Sequence, residues 1–217
     1  MTGKIQAQQA REVTKIDLRK EFKQLYSPST KEVVLVEVPD MAFLMIDGSG
    51  DPNTSQEYHD ALTTLYNVSY TLKFLIKKEI AIDYLVMALE GLWWKDNMLE
   101  FSMENKDSWQ WTSMIMQPVY VTAELVNRVC EELKQKKDLP ALSKLRFEHF
   151  HEGLSVQIMH IGPYAAEKPT IEKLHTYIKK HGYEFNGKHH EIYLGDPRRA
   201  APEKLKTVIR QPVKRVS

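Results

Sequence analysis

A histidine, a glutamate and a tyrosine alternate along the chain at His189, Glu191 and Tyr193. This stretch is typical of a β-strand, in which residues two apart share one face. The residues of the opposite face are His190, Ile192 and Leu194. Because this second set is mostly apolar, we expect it to pack under helices and the first set to face a cleft. A glutamate between aromatic neighbours suits a cationic or polarised planar ligand.

Tryptophans supply candidate walls for this cleft. Glu90 and Trp94 share one face of a second predicted strand, and Trp93 lies on the other face. Whichever face turns inward, at least one of the two tryptophans lies near the cleft. The alternative interpretation is that these aromatic side chains are core residues and that Glu191 is a solvated residue of the sheet.

Other kinds of chemistry have little support in the sequence. His189 and His190 point to opposite faces of a strand, and no Cys or His-x-x-x-His motif completes a ligand set, so we expect no metal site. The segment 47–50 lacks the lysine of a P-loop and the full dinucleotide spacing, and its plainer interpretation is a turn. No Gly-x-Ser-x-Gly elbow supports an activated serine. We expect no cofactor.

Composition excludes several classes of protein. The 30 basic and 29 acidic residues give a net charge of +1, which argues against nucleic acid or an anionic membrane as a partner. The apolar runs are too short to span a bilayer, and the polar start lacks a signal-peptide segment. The single cysteine, Cys130, suits a small buried hydrophobe in a reducing compartment. We expect a cytoplasmic protein that binds a small molecule.

Apolar periodicity locates the elements that must position these residues. Helical spacing predicts amphipathic helices over residues 55–78, 121–133 and 171–178, with a shorter helix over 16–26. Predicted strands cover 33–38, 42–46, 85–94, 109–117, 145–150, 154–161 and the stretch around Glu191. Pro39-Asp40 and Glu152-Gly153 are interpreted as turns between strands.

The elements follow one order twice, as strand, helix, strand, strand. The tripeptide Gln-Pro-Val closes both halves, at 117–119 and 211–213. We therefore predict an α+β fold of two tandem modules with pseudo-twofold symmetry, an antiparallel sheet with helices on one face, and a central ligand cleft. The halves span about 33–119 and 142–213. Residues 1–15 are predicted to be a loose tail, and 16–217 a single domain.

Particular strings resemble the GyrI-like small-molecule-binding superfamily. They are Gly162-Pro163-Tyr164, residues 190–197 (His-Glu-Ile-Tyr-Leu-Gly-Asp-Pro) and residues 208–213 (Val-Ile-Arg-Gln-Pro-Val). Residues 48–53 (Gly-Ser-Gly-Asp-Pro-Asn) and 90–94 (Glu-Gly-Leu-Trp-Trp) extend the resemblance to the stand-alone bacterial branch of that superfamily. The resemblance covers the chain from about Ile16 onward.

This resemblance implies two modules with a ligand cleft at their junction. Relatives include effector domains of multidrug-responsive activators, which bind aromatic cations over a buried glutamate, and an inhibitor of DNA gyrase. Other relatives are cyclopropanoid cyclopropyl hydrolases, which open the strained cyclopropane of DNA-alkylating natural products. Glu191 best matches the family's glutamate. No helix-turn-helix precedes the binding module, so we do not expect transcriptional regulation by this chain alone.

Three functions follow from these features. The first is a hydrolase in which Trp94, Tyr164 and Tyr193 hold the ring system and Glu191 is the general base. The second is a non-catalytic module that sequesters or senses planar xenobiotics, and the third is interaction with an unknown protein partner. The predicted catalytic residue is Glu191. The predicted ligand-binding residues are Trp93, Trp94, Tyr164, Tyr193, His189 and Glu90.

Overall fold

A computed structural model describes residues 12–95 and 108–216. Its strands are β1 (Thr14–Ile16), β2 (Val34–Ser49), β3 (Ile82–Tyr84), β4 (Leu89–Trp94), β5 (Gln110–Gln117), β6 (Arg146–Ile161), β7 (Tyr183–Phe185), β8 (His189–Tyr193) and β9 (Lys206–Arg215). Its α-helices are α1 (Leu18–Glu21), α2 (Lys23–Tyr26), α3 (Gln56–Ile80), α4 (Ala123–Lys136) and α5 (Lys168–Lys180). Short 3-10 helices cover Leu142–Lys144, Tyr164–Ala166 and Pro202–Lys204.

The main sheet curls into a barrel-like arrangement. Its strand order is β6-β2-β5-β4-β8-β9-β7, and the first strand, β6, also pairs with β9, so the sheet closes on itself. Every pairing in this sheet is antiparallel. β1 and β3 form a separate parallel pair. The predicted α+β class and the antiparallel sheet are confirmed.

The long helix α3 covers one face of this sheet. Ser55 caps its first turn by accepting a hydrogen bond from the backbone N–H of Tyr58 at 3.2 Å. Buried positions recur along one side of the helix, including Ala61, Leu65 and Leu72, as the apolar spacing predicts. This side packs on β2 and β5, and α4 in turn packs on α3.

The shorter helix α5 covers the opposite end of the sheet. Leu174 and Ile178 on the helix form a small buried cluster with Ile158 of β6 and Ile209 of β9. The helix ends at His181, and Gly182 follows with φ of 71°, the left-handed conformation that glycine adopts without strain. α3 and α5 therefore stand over different strands of one curled sheet.

Two predicted turns lie inside strands. β2 runs without a break through Pro39, and β6 runs through Gly153, which has φ of 70°. Val38 pairs with Gly153, and Asp40 pairs with His151, so the two irregular positions face each other across the ladder. The turn predictions are wrong because Pro and Gly bend the paired strands here without ending them.

The start of the chain is partly ordered. Residues 1–11 of the predicted tail lie outside the described residues, whereas Thr14 and Lys15 belong to β1. The predicted helix over 16–26 divides at Phe22 into α1 and α2. In the described ranges 12–95 and 108–216, no helix is long and apolar enough to cross a membrane.

Candidate functional site

Glu191 lies at the centre of β8 on the face of the sheet that we call the outer face, the face that α3 covers. Tyr193 donates its hydroxyl hydrogen bond to Glu191 Oε2 at 2.8 Å. On the other side, His189 Nε2 lies 3.1 Å from Glu191 Oε1. The carboxylate is 7% exposed. The predicted trio of same-face residues is therefore in direct contact, with Tyr193 at one carboxylate oxygen and His189 at the other.

An aromatic cluster includes the tyrosine that binds this carboxylate. Trp93 donates from Nε1 to the Tyr193 hydroxyl at 3.0 Å, which completes a chain of hydrogen bonds from Trp93 through Tyr193 to Glu191. The ring of Tyr164 stands edge-on to that of Tyr193, with centroids 5.5 Å apart. Tyr58 of α3 packs on Trp93, with centroids 5.9 Å apart. The result is a glutamate bound to a tyrosine that itself lies within a cluster of aromatic rings.

Gly91 has no side chain, and this leaves room for the ring of Trp93. It is the cross-strand partner of Glu191 in the pairing of β4 with β8. A Cβ atom at Gly91 would lie 2.7 Å from Trp93 Nε1. Trp93 is 2% exposed and packs against both Tyr58 and Trp109, so its ring has no room to yield.

Gly91→Ala should therefore weaken binding of a planar aromatic ligand by roughly tenfold, because displaced catalytic and binding groups lose their alignment. Fluorescence titration of the variant measures the effect. Gly195→Ala is the matched control, since its Cβ would meet its nearest neighbour, Leu205, at 3.4 Å. Equal affinity of Gly91→Ala and the unmodified chain would contradict this account.

Two predicted ligand residues lie on the opposite face, which we call the inner face. Glu90 and Trp94 alternate with Trp93 on β4, and Glu90 is fully buried. Trp94 stacks under Lys188, whose Nζ lies 3.2 Å from the ring centroid. Glu90 and Trp94 are thus separated from Glu191 by the sheet, which corrects the expectation that they share its cleft.

The expected orientation of β8 is also wrong. The Glu191 face lies under α3, and His190 and Ile192 point to the inner face, where both are buried. Sequence reasoning assigned the helix side to the more apolar set. Hydrogen-bonded polar groups occupy both faces here, so polarity alone did not distinguish them.

A buried charge network fills part of the inner face. His190 Nδ1 lies 2.8 Å from Glu152 Oε1, and His190 Nε2 lies 3.0 Å from Glu90 Oε2. Arg210 donates to Glu152 Oε2 at 2.9 Å. Tyr26 of α2 donates to Glu90 Oε1 at 2.8 Å. This network links α2 to the sheet and gives Glu90 a structural role.

The network shifts the titration of its members. Burial alone would raise the pKa of Glu152, but attraction by His190 and Arg210, with their hydrogen bonds, lowers that pKa to about 2. Burial alone would lower the pKa of His190, but Glu152 and Glu90 raise that pKa to about 9. Both groups are therefore charged at neutral pH.

The pair should stabilise the fold most between pH 4.5 and 6.5, the ordinary pKa values of the two groups. The Glu152 contribution is present above 4.5 and is lost as pH falls toward about 2. The His190 contribution is present below 6.5 and is lost as pH rises through about 9. Urea unfolding across pH measures both slopes. His190→Gln should remove the alkaline slope, and an unchanged slope would count against the assignment.

Tyr58 and Glu167 were missed by sequence reasoning. Tyr58 was assigned to the packed side of a helix, yet burial and the nearby Glu191 charge raise its pKa. Glu167 follows Tyr164 in the turn before α5, and it is 1% exposed. Burial first, and then Glu167 and Glu191, raise the pKa of Tyr164 to about 12. Glutamate is common near helix starts, so the sequence alone does not indicate that this one is buried.

Within the described part of the chain, no group of three or more His, Cys, Asp or Glu side chains is arranged to hold a metal ion. The polar groups at this site are the Glu191 carboxylate, one imidazole and tyrosine hydroxyls. These groups suit acid-base chemistry and binding of planar or cationic molecules.

The curled antiparallel sheet and its aromatic-lined glutamate are those of a small-molecule-binding α+β domain. The family described as the GyrI-like small molecule binding domain matches residues 31–214. The chain belongs to this GyrI-like family. No protein among those of curated function matches it.

Solved structures agree with this assignment. An uncharacterized conserved protein from Listeria innocua is 39% identical over 92% of this chain and 100% of its own, with a TM-score of 0.85. A hydrolase encoded by lin2189 from the same organism is 38% identical over 93% and 100%, with a TM-score of 0.82. The C-terminal domain of EcmrR is 13% identical over 85% and 98%, with a TM-score of 0.53, a likeness of fold alone.

Proposed function

We propose that this protein binds planar aromatic xenobiotics against Glu191 and hydrolyses the strained cyclopropane of DNA-alkylating compounds, which detoxifies them. The observation that carries the proposal is the buried Glu191 carboxylate, held by Tyr193 and His189, with Trp93 and Tyr164 packed against that tyrosine. A relative described as a hydrolase, 38% identical over its whole length, supports enzymatic activity.

The chemistry requires one base and one proton donor. Glu191 takes a proton from water as the water oxygen bonds to a cyclopropane carbon. The ring carbon–carbon bond breaks, its electron pair moves into the conjugated carbonyl, and the carbonyl oxygen receives a proton. Tyr164 is the candidate donor, because its ring lies against that of Tyr193, with centroids 5.5 Å apart, and its hydroxyl is protonated at neutral pH. The proton taken up by Glu191 then returns to Tyr164 through solvent, which restores both groups. Strain released by ring opening lowers the catalytic demand on the protein.

The duplication predicted from sequence also supports a single carboxylate in the cleft. Each half contributes three adjacent strands in matching order, β2-β5-β4 and β6-β9-β8, and the halves meet where β4 pairs with β8. We propose that the halves are related by a pseudo-twofold axis between the paired residues Gly91 and Glu191. On this assignment, the second half supplies the carboxylate of Glu191, and the first half supplies Gly91, whose lack of a side chain leaves space beside it.

The test is product analysis. The full chain is incubated with a cyclopropane-containing alkylator that carries a planar aromatic system, and mass spectrometry follows the substrate. A protein-dependent product heavier by one water, formed over many turnovers, is expected. Recovery of unchanged compound that remains bound to the protein would reject hydrolysis.

Non-catalytic binding is the second candidate, and one observation favours it. Both oxygens of Glu191 already have a close protein partner, Tyr193 on one and His189 on the other. An attacking water must use a remaining lone pair of the same carboxylate. If it finds no room there, the same site sequesters or senses its ligand without changing it.

A further inference from the structure

A cavity of about 330 Å³ opens on the inner face, on the other side of the sheet from Glu191. Apolar side chains from three strands form part of its wall, namely Met45, Leu92 and Phe150. Thr112 and Asn186 add polar groups, and Lys188 contributes a charge. Its volume is at the lower end of the range for small-molecule sites, and its mixture of apolar wall and few polar groups is typical of them.

The other cation of this cavity already has partners. Arg146 donates from Nε to Glu148 at 2.9 Å and from Nη2 to Asp47 at 3.1 Å, and its Nη1 also bonds to Asp47. Thr112 donates its hydroxyl to Asp47 at 2.6 Å. Two carboxylates therefore surround a single guanidinium. This cluster neither needs nor attracts a further anion.

Lys188 differs from Arg146 in its surroundings. Its Nζ lies over the Trp94 ring, 3.2 Å from the centroid, and it forms no ion pair with any carboxylate of the described residues. The side chain is half-buried. Three ammonium hydrogens can donate, and the indole face satisfies only part of that capacity. Among the described residues, Lys188 is thus a cation at the cavity wall with no carboxylate within ion-pair distance, and Asp47 attracts it only from farther away.

We propose that this cavity is a second ligand site, in which Lys188 binds the carboxylate of a small molecule with a planar apolar body. The body packs against Met45, Leu92 and Phe150, and the carboxylate takes the ammonium hydrogens of Lys188. The site is independent of the proposed hydrolysis, since the sheet separates it from Glu191.

The charge balance favours a monoanion. Among the described residues, Lys188 and Arg146 line the cavity with two positive charges, and Glu148 together with Asp47, the partner of Arg146, brings two negative ones. Glu152 also lines the cavity, but its charge is paired with His190 and Arg210. The described charges at the cavity are therefore balanced. A ligand with one carboxylate can bind the Lys188 ammonium and adds only one negative charge to the cavity. The second negative charge of a dianion would be repelled by the carboxylates near the cavity. A planar cation would be repelled by Lys188. This preference is opposite to that of the Glu191 site, which favours cations.

The test is calorimetric titration of the full chain with 2-naphthoate and with the neutral 2-naphthylmethanol. Naphthoate should bind about tenfold more tightly, as expected for one charge-assisted hydrogen-bonded pair. Lys188→Gln should remove this difference, and Lys188→Arg should largely keep it. Lys204→Gln, an exposed lysine on another part of the surface, should change nothing.

A second arm distinguishes the two faces. Naphthoate affinity should be the same in Glu191→Gln as in the unmodified chain, and N-methylacridinium, a planar cation, should not compete with it. Equal affinity for naphthoate and the alcohol would overturn the proposal. So would unchanged naphthoate binding in a folded Lys188→Gln protein, or tighter naphthoate binding in Glu191→Gln, which would place the probe beside the Glu191 carboxylate.

Discussion

Glu191→Gln should lower cyclopropane hydrolysis by roughly 10²-fold, the usual size of a positioned acid-base effect, and leave binding of a neutral planar compound unchanged. Glutamine keeps the shape of the side chain and its hydrogen-bonding reach toward Tyr193 and His189. It has no basic carboxylate oxygen to accept the proton of water. Cationic ligands should also bind more weakly, because the negative charge is gone.

Single-turnover kinetics separate the loss of chemistry from the loss of binding. Tyr193→Phe keeps the aromatic ring but removes the hydroxyl that donates to Glu191, so it should lower the rate by about tenfold if that contact orients the base. Glu132→Gln removes an exposed carboxylate of α4 and serves as control. A folded Glu191→Gln protein with unchanged turnover and unchanged cation affinity would exclude Glu191 from both proposed roles.

Glu152→Gln should destabilise the fold by about 3–5 kcal/mol, the usual cost of removing one partner from a buried ion pair. The side chains of Glu152, His190 and Arg210 are each about 1% exposed. The variant leaves the two cations facing each other without the carboxylate that bridged them. Water cannot reach them to compensate.

Chemical denaturation measures this loss as a change of midpoint at constant slope. Glu132→Gln is the matched control, because it breaks the exposed pair of Glu132 with Lys136 by the same substitution. That exposed pair should contribute little to stability. Similar effects of the two substitutions would show that the inner-face network does not stabilise the fold.

Local patterns in the sequence were sufficient for some of the elements. Helix α3 (Gln56–Ile80) follows from its apolar spacing, and β5 (Gln110–Gln117) from its β-branched and aromatic residues. Alternation also predicted that His189, Glu191 and Tyr193 share a face. These features depend on neighbours in sequence, where side-chain direction follows from the period of a strand or helix.

The tertiary structure determined which face of each strand became the outer face and which became the inner face. Gln157 and Glu152 both bond to Arg210 although they are five residues apart. Strict alternation would place them on opposite faces, and the left-handed Gly153 between them changes the phase. Glu152 therefore appeared in the sequence as a turn residue, although it is a buried anion.

The sequence by itself determined the α+β class, the strand carrying Glu191 and the neighbours of that carboxylate. Only the tertiary structure separated Trp93, which donates to the Tyr193 hydroxyl on the Glu191 face, from Trp94, which stacks under Lys188 on the other face. The physical reason is that a strand period fixes which residues share a face, whereas helix packing and barrel closure determine what each face meets. Those contacts join residues far apart in the chain, such as Trp93 and Tyr193, and no local pattern records them.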